Sequence, residues 1–172
     1  VEVVLAPGYD DDALEYLRSK SKNIRLIEID PLNIGEPDRV TSKSIVGGLL
    51  VQPPDRELIG EWQVVTKADF EPDTEKLARF AYVAVKHTRS NAIILARAYK
   101  PGCYQLVGLG AGQPNRVDSL RALAAPKARA NFEMEFDDLA LGGNKEEYVL
   151  EQFARVVLAS DAFFPFDDTV RE

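Results

Sequence analysis

Cysteine and histidine are almost missing from this sequence of 172 residues: Cys103 and His87 are the only examples of each. One thiol closes no intramolecular disulfide, and one cysteine with one histidine assembles no Cys/His zinc cluster. A reducing compartment fits that usage. Long apolar runs are lacking too. None approaches the ~20 residues that span a bilayer, and no basic stretch followed by an apolar one suggests secretion or a membrane anchor. Basic residues are outnumbered by acidic ones, 21 to 28, for a net charge of −7, and they are scattered along the chain. Nucleic-acid surfaces gather Lys and Arg to neutralise phosphates, so neither nucleic acid nor membrane is an expected partner. A single local arginine meeting a single phosphate is still compatible with that balance. The expectation is a cytoplasmic globular protein, and a compact domain of this length buries roughly 70% of the surface of its unfolded chain.

The whole chain, 1–172, reads as a single domain with both ends cut. It starts at Val1 rather than Met and enters a strand-like run, Val1 to Ala6. It stops at Asp167 to Glu172, which resembles a helix N-terminus with acidic residues in its first turn, so a following helix is expected beyond Glu172. Between the ends, helices alternate with strands. Tyr9 to Lys20 is predicted helical, with Asp10, Asp11 and Asp12 first and Arg18 and Lys20 last; Ile24 to Ile29 is a strand. Ser44 to Gln52 and Trp62 to Thr66 read as short β-type runs separated by Pro53-Pro54-Asp55. Pro72 to Thr88 has the i, i+3, i+4 rhythm of a helix buried on more than one side. Ala92 to Ala98 and Tyr104 to Leu109 are strands joined by Pro101-Gly102, a type II turn pair. A helix follows through Val117, Leu120 and Leu123, the pattern is weak from Ala125 to Gly143, and Glu146 to Phe153 and Val156 to Ala159 form a short helix and a buried strand. The fold class is α/β, in layers.

Three clusters could carry chemistry. In Lys86-His87-Thr88-Arg89-Ser90-Asn91, Asn91 offers a carbonyl acceptor and an amide donor, suited to an amide or amine substituent; equally, Ser90 and Asn91 could end the helix before them. His87 has the pKa range of a general base, but a lone histidine on a helix with no acid near it in sequence reads as a surface or structural residue. The glycines of Gly108-Leu109-Gly110-Ala111-Gly112, leading to Arg116, could bring backbone N–H groups and a forked guanidinium to an anion, or could simply serve a tight turn. They match neither a dinucleotide fingerprint nor a Walker loop. In Ser160-Asp161-Ala162-Phe163-Phe164-Pro165-Phe166-Asp167-Asp168, phenyl faces at a strand exit could sandwich a flat heterocycle, with Asp161, Asp167 or Asp168 accepting from its ring N–H groups. The other reading is a hydrophobic plug before a helix capped by Asp168.

Taken in order, Val85 to Ile93, Gly108 to Ser119 and Ala159 to Phe166, with Leu5-Ala6-Pro7-Gly8-Tyr9-Asp10 upstream, resemble AICAR transformylase, the folate-dependent enzyme of purine synthesis. The resemblance covers most of the chain and is weakest from Ala125 to Arg155. It implies formyl transfer from 10-formyltetrahydrofolate to the 5-amino group of AICAR, giving FAICAR. It also implies a three-layer α-β-α fold similar to cytidine deaminase without its zinc, this chain being most of the second of two repeats. The missing first repeat and a second copy in a homodimer are the implied partners, and AICAR and folate the ligands.

Carried over position by position, the resemblance makes Asn91 a catalytic and substrate-binding residue, and Arg116 and Phe163 substrate-binding residues. Val117, Phe166 and Asp168 fall at folate-contacting positions. Lys86-His87 is the counterpart of a catalytic Lys-His pair that the family carries in its first repeat, so it does not inherit the general-base role, and the isolated chain is expected to be inactive. Asn115 stands where many members have serine, and the hairpin at Pro101-Gly102 is longer than usual. The alternative is a module of the same fold that binds a nucleotide or folate without catalysis. The attacking amine is a poor nucleophile, its lone pair delocalised into the imidazole. Its reaction needs alignment, proton removal and a stabilised oxyanion.

Overall fold

The computed structural model describes residues 2–30, 40–67, 70–164 and 167. Helices and sheets are mixed along the chain, and they fall into two compact units, Val1–Arg56 and Glu57–Glu172.

In the first unit, β1 (Val3–Ala6) pairs in parallel with β2 (Arg25–Glu28), Val3 opposite Arg25 and Ala6 opposite Glu28. Parallel neighbours need a crossover. Helix α1 (Asp11–Lys20) supplies it, with acidic residues in its first turn and Arg18 and Lys20 in its last, as the helix dipole favours. The Tyr9 hydroxyl braces the strand pair, donating to the Val4 carbonyl at 2.7 Å with the Ile27 carbonyl 3.2 Å away. Ser44 to Gln52 is not one strand. An antiparallel hairpin, β3 (Thr41–Ile45) and β4 (Gly48–Gln52), turns at Val46-Gly47, where Gly47 has φ +80°. Apolar residues on both sides of the turn hid it, although a glycine free to take positive φ is the usual hairpin signal. Every residue from Thr41 to Gln52 is exposed, and no described residue of this unit is buried.

The second unit holds the core. Trp62 to Thr66 forms no strand. Trp62 instead packs against Phe70, ring centroids 6.1 Å apart, with the Arg79 guanidinium 4.8 Å from its ring. Helix α2 (Pro72–Lys86) carries Pro72 in its first turn and buries Leu77, Ala81 and Val85, one stripe at i, i+4, i+8. The sheet runs β6-β5-β7, antiparallel throughout: β5 (Ile93–Lys100) lies between β6 (Cys103–Gly110) and β7 (Val157–Ser160). Gly102, at φ +72°, closes the β5–β6 hairpin behind Pro101, as a type II turn requires. β7 is less buried than its sequence suggests, with Leu158 39% exposed, because among the described residues it has a partner on one side only.

Successive residues of β5 point to opposite faces, and both faces are covered. Ala92, Ile94 and Ala96 pack with the α2 stripe and Ala159. Ile93 and Leu95 pack with Val107, Leu120, Ala124, Ala128, Phe132 and Val149 on the other side. That is why the strand reads as one continuous apolar run. Arg97 continues the second face and is only 4% exposed. Its guanidinium is held by Gln152 and Glu135 and lies 5.0 Å from the Phe132 ring.

The segment Ala125 to Gly143, weak in sequence, contains a helix of 14 residues, α4 (Ala125–Asp138). It buries only Ala128 and Phe132, in line with Ala124 before them, so its apolar stripe is too narrow to register as periodicity. Upstream, α3 (Arg116–Asp118), capped by Asn115, runs through a π-helical segment (Ser119–Ala124) directly into α4. Two glycines of β6 let this helical path lie close on the sheet. A Cβ at Gly108 would stand 2.1 Å from the Ala124 carbonyl oxygen, and one at Gly110 only 1.9 Å from that of Ser119. Helix α5 (Lys145–Phe153), capped by Asn144, completes this face.

Candidate functional site

Because Ile93 pairs with both Gly110 and Ser160, β5 begins at the sheet end where β6 and β7 finish. Three segments from distant parts of the sequence therefore meet there: Ser90-Asn91 entering β5, Gly110 to Arg116 leaving β6, and Asp161 leaving β7. Asn91 and Arg116, singled out by sequence, both belong to this junction.

Asn91 does not end α2. The Ala84 carbonyl of that helix is taken by the Thr88 hydroxyl at 2.9 Å, and the Val85 carbonyl by the Thr88 N–H at 3.0 Å. The Asn91 amide group instead donates to the Gln113 and Pro114 carbonyls, both at 2.9 Å. Carbonyls only accept, so the NH2 must face them and Oδ1 must point the other way. That oxygen has no hydrogen-bond partner among the described residues. The Asn91 main-chain carbonyl accepts from the fully buried Ser119 hydroxyl at 2.6 Å. The donor half of the side chain is thus spent on the fold, and the acceptor half is of the kind that can take an N–H.

Asp161 is the hub of the junction. One carboxylate oxygen accepts from the Ala92 N–H at 2.9 Å and from Arg116 Nε at 3.1 Å, and the other accepts from the Ser90 hydroxyl. The Asp161 oxygens offered for a heterocycle's ring N–H groups thus already accept three hydrogen bonds within the protein. Burial pushes its carboxyl pKa up, but the Ser90 hydroxyl, the Ala92 N–H and the Arg116 guanidinium together outweigh burial, and the pKa lies below the ordinary value. Both side chains of the pair are shielded, Arg116 being 17% and Asp161 16% exposed. With Nε committed, the two Nη groups of Arg116 have no hydrogen-bond partner among the described residues. They form a fork suited to an oxyanion or a carbonyl oxygen.

The glycine cluster serves the fold more than a ligand. Gly108 and Gly110 admit helix backbone, and Gly112, at φ +68°, turns the chain so that its N–H donates to the Arg89 carbonyl at 3.0 Å. The phenylalanine run divides. Phe164 packs against the core as a plug, whereas Phe163 is 80% exposed. Val117 is half-buried on α3, and His87 is exposed at the end of α2. Phe166 and Asp168 lie outside the described residues, and so does the cap proposed for Asp168. Among the described residues no group of three His, Cys, Asp or Glu side chains could share a metal ion, and no helix is long and apolar enough to cross a membrane. An open cavity of about 670 Å³ lies elsewhere, between the π-helical segment, α4 and α5, and shares no residue with the junction.

Sequence reasoning missed Ser90 and Ser119 as site-building residues and gave Asp161 a different role. Their partners stand 71 residues away for Ser90 and 28 for Ser119, beyond any local pattern. A small polar residue in the helical path just after the glycine-rich end of β6, where it faces Gly110, was the available signal for Ser119.

A family model described as "AICARFT/IMPCHase bienzyme" matches residues 1–127. Proteins named bifunctional purine biosynthesis protein PurH align along nearly the whole chain. The one from Lactobacillus delbrueckii subsp. bulgaricus is 41% identical over 177 residues, covering 99% of this chain and 28% of its own. The Lactobacillus acidophilus protein is 41% identical over 172 residues, with the same coverage. The Synechococcus protein is 42% identical over 175 residues, covering 99% of this chain and 27% of its own. The chain thus spans little more than a quarter of the length of these relatives.

Proposed function

The chain belongs to the AICARFT/IMPCHase bienzyme family, and from that membership we propose that it is a segment of an AICAR transformylase acting in purine biosynthesis. In this reading the full-length protein moves the formyl group of 10-formyltetrahydrofolate to the 5-amino group of AICAR. The chain is most of the second repeat of a three-layer, cytidine deaminase-like fold without zinc. The first repeat and a second copy, in a homodimer, complete the site and supply the base. Substrate contacts fall to Asn91, Arg116 and Phe163, folate contacts to Val117, Phe166 and Asp168.

One observation carries the reading: Asn91 is locked by its NH2 group so that its Oδ1, without a partner among the described residues, stands at the same sheet end as the fork of Arg116. An outward carbonyl oxygen accepts from an amine N–H. Doing so turns the amine lone pair toward an approaching formyl carbon, and alignment of this kind supplies a large part of a bimolecular barrier. The reaction then forms the new C–N bond and breaks the bond from the formyl carbon to the folate nitrogen, while the attacking amine loses a proton and the departing folate nitrogen gains one. Asn91 holds the amine and takes no proton.

The test is Asn91→Ala in the full-length enzyme, assayed with AICAR and 10-formyltetrahydrofolate. We expect kcat to fall about 100-fold, the cost of a misplaced reactant, with the far-UV circular dichroism spectrum retained. Unchanged turnover would sink the assignment.

A further inference from the structure

We propose that Asp161 is a positioning residue for the substrate: its carboxylate aims the Arg116 fork and keeps the Asn91 segment in register with it. The inference rests on the transformylase reading and extends it to a residue that touches no ligand.

Geometry carries the argument. Among the described residues, Asp161 is the one side chain bonded to both of the other segments that meet at the sheet end: to Ser90 and the Ala92 N–H flanking Asn91, and to Arg116 beyond β6. An arginine side chain is long and has many rotamers, and a guanidinium tethered at Nε loses most of that freedom before the ligand arrives. Among the described residues nothing else binds Nη1 and Nη2, the part of the group that binds oxygen in a fork. A carboxylate beside a site for an anionic nucleotide would by itself repel it. Here three donors satisfy that charge, so what remains is its hold on Arg116.

The variant that isolates this role is Asp161→Asn. Asparagine keeps the size and can still accept from the Ala92 N–H, but it gives up the charge that holds the guanidinium. In the full-length enzyme we expect KM for AICAR to rise about tenfold, the worth of one charge-assisted hydrogen bond, with kcat within about twofold of wild type. Calorimetric Kd for AICAR should move in parallel. In an Arg116→Gln background Asp161→Asn should have no further effect on KM or Kd, because its action passes through that arginine.

Unchanged or lowered KM in Asp161→Asn, or a full effect persisting beside Arg116→Gln, overturns the proposal and leaves Asp161 a simple staple. Should Asp161→Asn fail to fold, Ser90→Ala removes one hydroxyl from the same carboxylate at an exposed position. We then expect KM to rise about threefold, and an unchanged KM overturns the proposal equally. A wild-type enzyme that binds AICAR without formyl transfer overturns the reaction, while Kd still decides the role of Asp161. One that binds no AICAR overturns both.

Discussion

The contact between β6 and the helical path above it makes a sharp prediction at Gly110. Replacing Gly110 with alanine places a Cβ 1.9 Å from the Ser119 carbonyl oxygen and 2.5 Å from its carbon, where real contacts stay beyond 3.0 Å. The obstacle is main chain of a fully buried residue, not a side-chain tip that could swing aside. The helix must retreat by about 1 Å, and overpacking of this kind costs about 1–3 kcal/mol. Retreat also pulls the Ser119 hydroxyl from the Asn91 carbonyl, now 2.6 Å away. A buried hydrogen bond left half-made adds about 1–3 kcal/mol. Together the loss should be about 2–6 kcal/mol. Gly142→Ala is the control, since nothing lies within 4 Å of the added carbon and its φ is not positive. It should be neutral or stabilise by about 0.4–1 kcal/mol through the unfolded chain. Urea unfolding followed by far-UV circular dichroism measures both. If Gly110→Ala unfolds within about 0.5 kcal/mol of Gly142→Ala, the close approach of sheet and helix is wrong and so is the anchoring of Asn91 derived from it.

Phe132→Ala should destabilise by about 3–5 kcal/mol in the same assay, because it empties a fully buried site and removes the edge-to-face contact with Phe153 at 5.3 Å as well as the ring beneath Arg97; a loss below about 1 kcal/mol would mean that α4 does not pack as described. For pH, the sign follows from the depressed pKa of Asp161. Its contribution is full above the ordinary carboxylate value of 3.8 and is lost as pH falls through the lower folded value. Stability measured from neutral pH downward should therefore drop less steeply below that value in Asp161→Asn than in wild type. Equal acid slopes would contradict the assigned direction.

Much of the second unit was legible because its signals are local. The α2 stripe of Leu77, Ala81 and Val85, the apolar run of β5 and the Pro101-Gly102 turn each state their structure within one short window. The hairpin at Val46-Gly47 was not, since apolar flanks masked the turn, and α4 was not, since two buried residues in 14 make too faint a stripe. The resemblance placed Asn91 and Arg116 at a site, but not how either is held.

By itself the sequence determined the α/β class, most elements, the family and the residue types that a site would draw on, because propensity and periodicity act between near neighbours. Only the tertiary structure decided that Asn91 spends its donor on Gln113 and Pro114 and keeps its acceptor, that Gly108 and Gly110 make room for helix backbone, and that Asp161 pairs with Arg116. Each of those outcomes is a hydrogen bond or a steric contact between segments far apart in the chain. Such contacts exist only once the antiparallel sheet has brought the start of β5 beside the ends of β6 and β7.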